Sequence, residues 1–151
     1  MADAMSPSRI PTPVAPRRSV DIALAAAGLL TCGMALYHFW LPFAFHWADG
    51  LTHEPMLRWA LFMLNASFSY LLLVGGAMTL AIALQRGAAE RTDRWVLMGM
   101  GGYWLFNSVY QVLAPMPLPP RLAMLKWVLG GFAATVVLLY LGALTRSRAR
   151  R

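Results

Sequence analysis

The sequence predicts an all-α polytopic membrane protein, a four-transmembrane-helix bundle built as two duplicated helical hairpins. Three observations predict it. Four long apolar stretches account for a chain that is 59% hydrophobic and 13% charged, with a mean hydropathy of +0.55, outside the norms of soluble domains. The cations are concentrated in alternate segments between those stretches. The second half of the chain also echoes the first. Tyr37-His38 with Pro42 is matched by Tyr110-Gln111 with Pro115, and Met56-Leu57-Arg58-Trp59-Ala60-Leu61 by Met124-Leu125-Lys126-Trp127-Val128-Leu129.

The expected helices cover residues 20–41, 56–84, 95–114 and 122–144. Each reaches the ~20 residues that carry a helix across a ~30 Å hydrocarbon layer. In lipid only helices and closed barrels satisfy every backbone amide, and no stretch alternates apolar with polar residues as a barrel strand would. Ahead of them, residues 1–18 carry Pro7, Pro11, Pro13 and Pro16, a composition expected to stay disordered. Arg17-Arg18 and the run Leu29-Leu30-Thr31-Cys32 have the look of a secretory leader. The apolar stretch continues through Tyr37 and Trp40, longer than a leader core, so the first helix is expected to stay uncleaved. The transmembrane domain then covers 19–145, and 146–151 form a basic tail.

The connections have distinct characters. The loop from Pro42 to Pro55 mixes Phe43, Phe45 and Trp47 with His46, Asp49, His53 and Glu54, and should lie among headgroups. The loop from Gln85 to Arg94 is charged. The stretch from Ala114 to Pro120 holds Pro115, Pro117, Pro119 and Pro120, a stiff extended connector.

A net charge of +7 raises the question of a nucleic-acid partner, and its placement answers it. Arg9, Arg17 and Arg18, then Arg86, Arg91 and Arg94, then Arg146, Arg148, Arg150 and Arg151 make up ten of the 13 cations. Four spans put all three groups on one side, leaving Arg58, Arg121 and Lys126 on the other. The positive-inside rule makes that side the cytoplasm of a bacterial-type inner membrane, with both termini inside. The basic segments then set topology and touch anionic headgroups, and no nucleic-acid partner is expected.

Cys32 is the single cysteine, which excludes an internal disulfide and a Cys-x-x-Cys redox pair. Trp40, Trp47, Trp59 and Trp127 mark the outer boundary and Trp95 the inner one, while Trp104 lies mid-helix, in the bundle or facing lipid. Gly28 with Cys32, Gly130 with Ala134, Gly75-Gly76 and Gly101-Gly102 have the spacing of close helix approach.

Polar groups inside spans are expensive and therefore informative. They gather towards the outer end: His38, Asn65 with Ser69 one turn deeper, the stripe Tyr103-Asn107-Gln111, and Lys126. Pointing inward, His38, Asn65, Ser69, Asn107, Gln111 and Lys126 would line an outward-open ligand pocket. The other reading makes them interhelical packing bonds, and the residues leave both open. His38 is the one imidazole within a span, and Gln111 is its counterpart in the second half. No metal site is expected from His38, His46 and His53 with Asp49 and Glu54, whose spacings match no familiar ligand pattern. Haem, which usually takes two intramembrane histidines on different helices, is not expected either. There is no Gly-x-Ser-x-Gly, no His-Glu-x-x-His and no carboxylate pair within a span.

Four helices with both termini inside, a first helix with Gly28 and Gly33 leading to Pro42, and a length of 151 residues resemble the DoxX-like small membrane proteins. That resemblance implies at most a membrane redox accessory linked to quinone, and carries over no functional residue. The expected function is that of an integral inner-membrane protein, a non-catalytic accessory or assembly subunit or a small-ligand-binding one, with the bilayer and a larger membrane complex as partners and no cofactor. The alternative is a quinone-linked redox protein in which His38, Asn107 and Gln111 bind the quinone head. A small transporter ranks third, because no span is interrupted and none carries a buried carboxylate.

Overall fold

The computed structural model describes residues 20–85, 91–114 and 120–149, and these are helical apart from short turns and helix ends, with no strand among them. α1 (Ile22–Ala44) is followed by the single-turn α2 (Trp47–Gly50), α3 (Pro55–Leu84) and α4 (Arg91–Leu113), and a 3₁₀ turn (Pro120–Leu122) leads into α5 (Ala123–Ala149).

Local chemistry starts and stops the helices. Asp21 is the N-cap of α1, its Oδ1 accepting from the Leu24 N–H at 3.2 Å. The Asp21 N–H donates to the Ala83 carbonyl at 3.4 Å, and its carboxylate meets the Arg146 guanidinium at 3.5 Å. The start of α1 therefore adjoins the ends of α3 and α5, and α1 runs antiparallel to both. α3 opens on Pro55, where the missing N–H is no loss.

α1 packs along α3 and α4 along α5, so the molecule is two helical hairpins, joined chiefly through α1 against α5. The first hairpin crosses backbone to backbone. A Cβ on Gly28 would lie 2.9 Å from the Leu80 nitrogen, and one on Gly76 would lie 2.7 Å from the Cys32 sulfur. Two of the expected close-approach sites are thus met at a single crossing. Gly101 faces Tyr140 of α5 and Gly75 is covered by Met100 of α4. Trp104 lies in the bundle, 1% exposed, not on the lipid side.

Outside the core the surface is apolar: Leu29, Leu36, Leu64, Leu71, Phe106, Val112 and Leu138 are all exposed. A soluble monomer rarely carries such a girdle. α1, α3 and the segment Ala123–Arg146 of α5 are long and apolar enough to cross a membrane. α4 is as long as α1, at 23 residues. Its glycines and its Tyr103, Asn107, Ser108 and Gln111 dilute its apolar character, so three of the four expected spans pass on length and composition.

Helix limits shift from expectation where the hydrocarbon boundary and the helix end differ. α1 continues past Leu41 through a buried Pro42 to Ala44, α4 begins at Arg91, and α5 continues through the first part of the expected basic tail. Water-facing backbone keeps its helical hydrogen bonds as well as lipid-facing backbone does, so apolarity ends before the helix. The expected loop from Pro42 onward is in part a tight turn. His46 adopts a left-handed conformation at φ 48°, and Trp47 of α2 packs edge-on against Phe62 of α3 with ring centroids 6.1 Å apart. The expected disordered tail at 1–18 and residues 115–119 of the proline-rich connector lie outside the described residues.

Candidate functional site

The half of the first hairpin nearest α2 is organised by what Pro42 lacks. A proline within a helix has no N–H for the carbonyl four residues back, here that of His38. Asn65 on α3 supplies the donor: its Nδ2 lies 2.8 Å from the His38 carbonyl oxygen. In an apolar environment an unpaired carbonyl costs several kcal/mol, roughly, so this bond is what lets α1 pass through Pro42 unbroken. Ser69, fully buried one turn deeper, donates to the Asn65 carbonyl at 2.6 Å. The His38 imidazole is half-buried, edge-on to Phe68 at 5.0 Å, with the Asn65 amide also beside it.

The second hairpin carries its own pair. On α4 the Gln111 Nε2 donates to the Asn107 Oδ1 at 2.8 Å, both side chains half-buried, and a Cβ on Gly130 of α5 would lie 3.9 Å from the Gln111 Oε1. Tyr103, one turn deeper, packs on Phe68 with ring centroids 5.7 Å apart. The Phe68–Tyr103 contact is thus where the two polar groups approach. Among the described residues no hydrogen bond joins His38 or Asn65 to Asn107 or Gln111.

Lys126 is joined to this group by no hydrogen bond or ion pair among the described residues. Its side chain is exposed, with the ammonium 5.3 Å from the Trp127 ring centroid. The structure therefore brings His38, Asn65 and Ser69 together, places Asn107 with Gln111 on the neighbouring hairpin, and leaves Lys126 apart. Among the described residues no three His, Cys, Asp or Glu side chains gather as metal ligands. His46 pairs instead with Asp49 at 3.6 Å, both exposed.

Sequence reasoning missed a deeper polar cluster, to which each of the four long helices contributes one residue. Thr31 of α1 donates to the Ala27 carbonyl at 2.8 Å and accepts from the Trp104 Nε1–H of α4 at 3.1 Å. Thr79 of α3 donates to the Gly75 carbonyl at 2.8 Å, so the Tyr140 hydroxyl of α5 is the donor in the 2.9 Å bond to Thr79. Tyr140 also lies 3.5 Å from Thr31 Oγ1. All four side chains are buried, and no buried side-chain N or O among the described residues lacks a partner. A signal existed, since Thr31, Thr79 and Tyr140 are polar residues within apolar runs. Only their convergence is absent from the chain order.

Chemically, the deep cluster is closed, each donor and acceptor committed to another. The group around His38, Asn65, Asn107 and Gln111 is more open, its amides and imidazole half-exposed, and such side chains can both donate and accept hydrogen bonds. Compared with known families, curated proteins and solved structures, the chain matches no family model, no curated protein and no solved structure.

Proposed function

We propose that this chain is an integral inner-membrane subunit without catalytic machinery of its own, and that the outer half of its bundle binds a small lipophilic ligand carrying carbonyl or hydroxyl groups. One observation carries the proposal. Half-buried amides from two different hairpins, Asn65 beside His38 and Asn107 bonded to Gln111, flank a single Phe68–Tyr103 contact. Apolar walls with a few convergent polar groups are the usual make-up of a small-molecule site.

The proposal includes α4 as a fourth span. Trp104 reaches Thr31 and Met100 reaches Gly75 midway along the apolar helices, so α4 runs at their depth. Four spans return both termini to the cytoplasmic side indicated by the cations. The internal duplication is part of the same reading, and burial supports it. At the spacing that relates Tyr37 to Tyr110, buried Leu24 and Thr31 correspond to buried Leu97 and Trp104. At the spacing that relates Trp59 to Trp127, buried Ser69, Leu72 and Gly75 correspond to buried Val137, Tyr140 and Ala143.

A second reading, a quinone-linked redox subunit of the DoxX-like kind, is favoured by one feature. Rings run without a break from His38 through Phe68, Tyr103 and Trp104 to Phe132, with neighbouring centroids 5.0–5.7 Å apart. Purification in mild detergent, followed by absorbance and lipid-extract mass spectrometry, tests both readings. A co-purifying small lipophile, lost in Asn107→Ala/Gln111→Ala while the protein still elutes as a single species, is the expected result, and a redox-active quinone would select the second reading. A preparation that holds no such molecule, or holds it equally in the double variant, refutes the site.

A further inference from the structure

A second feature lies outside that polar group, on the outward face of α3. Pro55, Arg58, Trp59 and Phe62 follow helical spacing and line a shallow groove of about 330 Å³. Its walls are almost wholly apolar, and Trp47 of α2, edge-on to Phe62, braces one of them. Arg58 is the single cation of that lining, and among the described residues it makes no ion pair. The acidic groups nearby in sequence do not line the groove: Asp49 is paired with His46, and Glu54 precedes the helix.

Charge complementarity and wall chemistry together select the occupant. A guanidinium presents a planar fork of donors that matches phosphate oxygens two at a time. Indole and phenyl walls suit the glycerol and first methylenes of a lipid, where interfacial aromatics ordinarily sit. The volume accommodates a phosphoglycerol group and not a whole lipid, so the acyl chains would run down the exposed apolar face of α3, past Met63 and Leu64.

We propose that this groove holds the head of one anionic phospholipid, its phosphate on Arg58 and its glycerol region against Trp59 and Phe62. The equivalent point of the second half is a built-in contrast. Lys126 also occupies the fourth position of its helix, but its ammonium lies over the Trp127 ring and it is not among the residues lining the Arg58 groove.

The test is native mass spectrometry of the full chain in detergent, supplied with equal amounts of phosphatidylglycerol and phosphatidylcholine. The expected result is one phosphatidylglycerol retained in preference. Its occupancy should fall about fivefold or more in Arg58→Gln, partly in Arg58→Lys and in Trp59→Ala, and stay unchanged in Lys126→Gln. Arg58 and Trp59 are exposed, so each variant should elute as the native protein does, and this is checked alongside. Equal retention of the two lipids by the native chain overturns the proposal. So does undiminished phosphatidylglycerol in Arg58→Gln, or an equal loss in Lys126→Gln, which would mark a general charge effect.

Discussion

Replacing Gly76 by alanine is the sharpest perturbation of the first hairpin. The new methyl would lie 2.7 Å from the Cys32 sulfur, 2.9 Å from the Cys32 nitrogen and 3.0 Å from the Gly28 carbonyl oxygen. The sulfur can rotate away, but two of those three atoms are backbone and cannot. Restoring ordinary separations of roughly 3.5–4.0 Å requires α1 and α3 to part by about 0.5–1 Å along their crossing. Overpacking of this kind costs about 1–3 kcal/mol, against which alanine returns at most ~1 kcal/mol of helix propensity. Gly33 lies on the open side of the same α1, with no atom within 4 Å of its would-be Cβ, so Gly33→Ala should be neutral or mildly stabilising. The assay is thermal unfolding in detergent followed by size-exclusion fluorescence. Gly76→Ala should melt several degrees below the native chain and Gly33→Ala at or above it. The double variant Gly28→Ala/Gly76→Ala should lose less than the sum of the two, since both substitutions force the same separation. Equal melting of Gly76→Ala and Gly33→Ala would refute the close crossing.

Asn65→Ala should destabilise by about 1–2 kcal/mol, the range of an interhelical polar bond in a bilayer. In a Pro42→Ala background most of that loss should vanish, because the substituted alanine brings its own N–H to the His38 carbonyl; a double-mutant cycle with no coupling would contradict the pairing. Tyr140→Phe removes the donor to Thr79 together with the longer contact to the Thr31 hydroxyl, and should lower stability by roughly 0.6–2 kcal/mol without changing the oligomeric profile; an unaltered melting curve would mean the Thr79 bond is absent. In a Cys32→Ser background, Gly50→Cys should react with an impermeant maleimide in intact cells and Gly87→Cys should not. Tags on the two termini should report the same side, and tags on opposite sides would leave three spans and sink the reading of α4.

What the sequence decided by itself is whatever lipid imposes locally. A helix in hydrocarbon must be long and apolar over its own length, so α1, α3 and α5 are legible one segment at a time, although Pro42, expected to open a loop, lies within α1. The glycines at 28 and 76 announce close approach because absence of a side chain is itself a local fact. α4 marks the limit of that logic. Its Asn107, Gln111 and glycines weaken the apolar signal, yet Trp104 and Met100 tie it into the bundle through contacts with other helices.

The tertiary structure alone decided which partners meet. Asn65 answers Pro42 from a neighbouring helix, and Thr31, Thr79, Trp104 and Tyr140 converge from four helices onto one buried cluster. It also divided the six candidate pocket residues, holding Asn65 and Ser69 to the first hairpin's backbone, pairing Gln111 with Asn107, and turning Lys126 onto Trp127. Periodicity along a helix says which residues share a face. Which face meets which neighbour, and at what rotation, depends on small residues and hydrogen bonds satisfied between segments far apart in the chain, and that information exists only once the helices have packed.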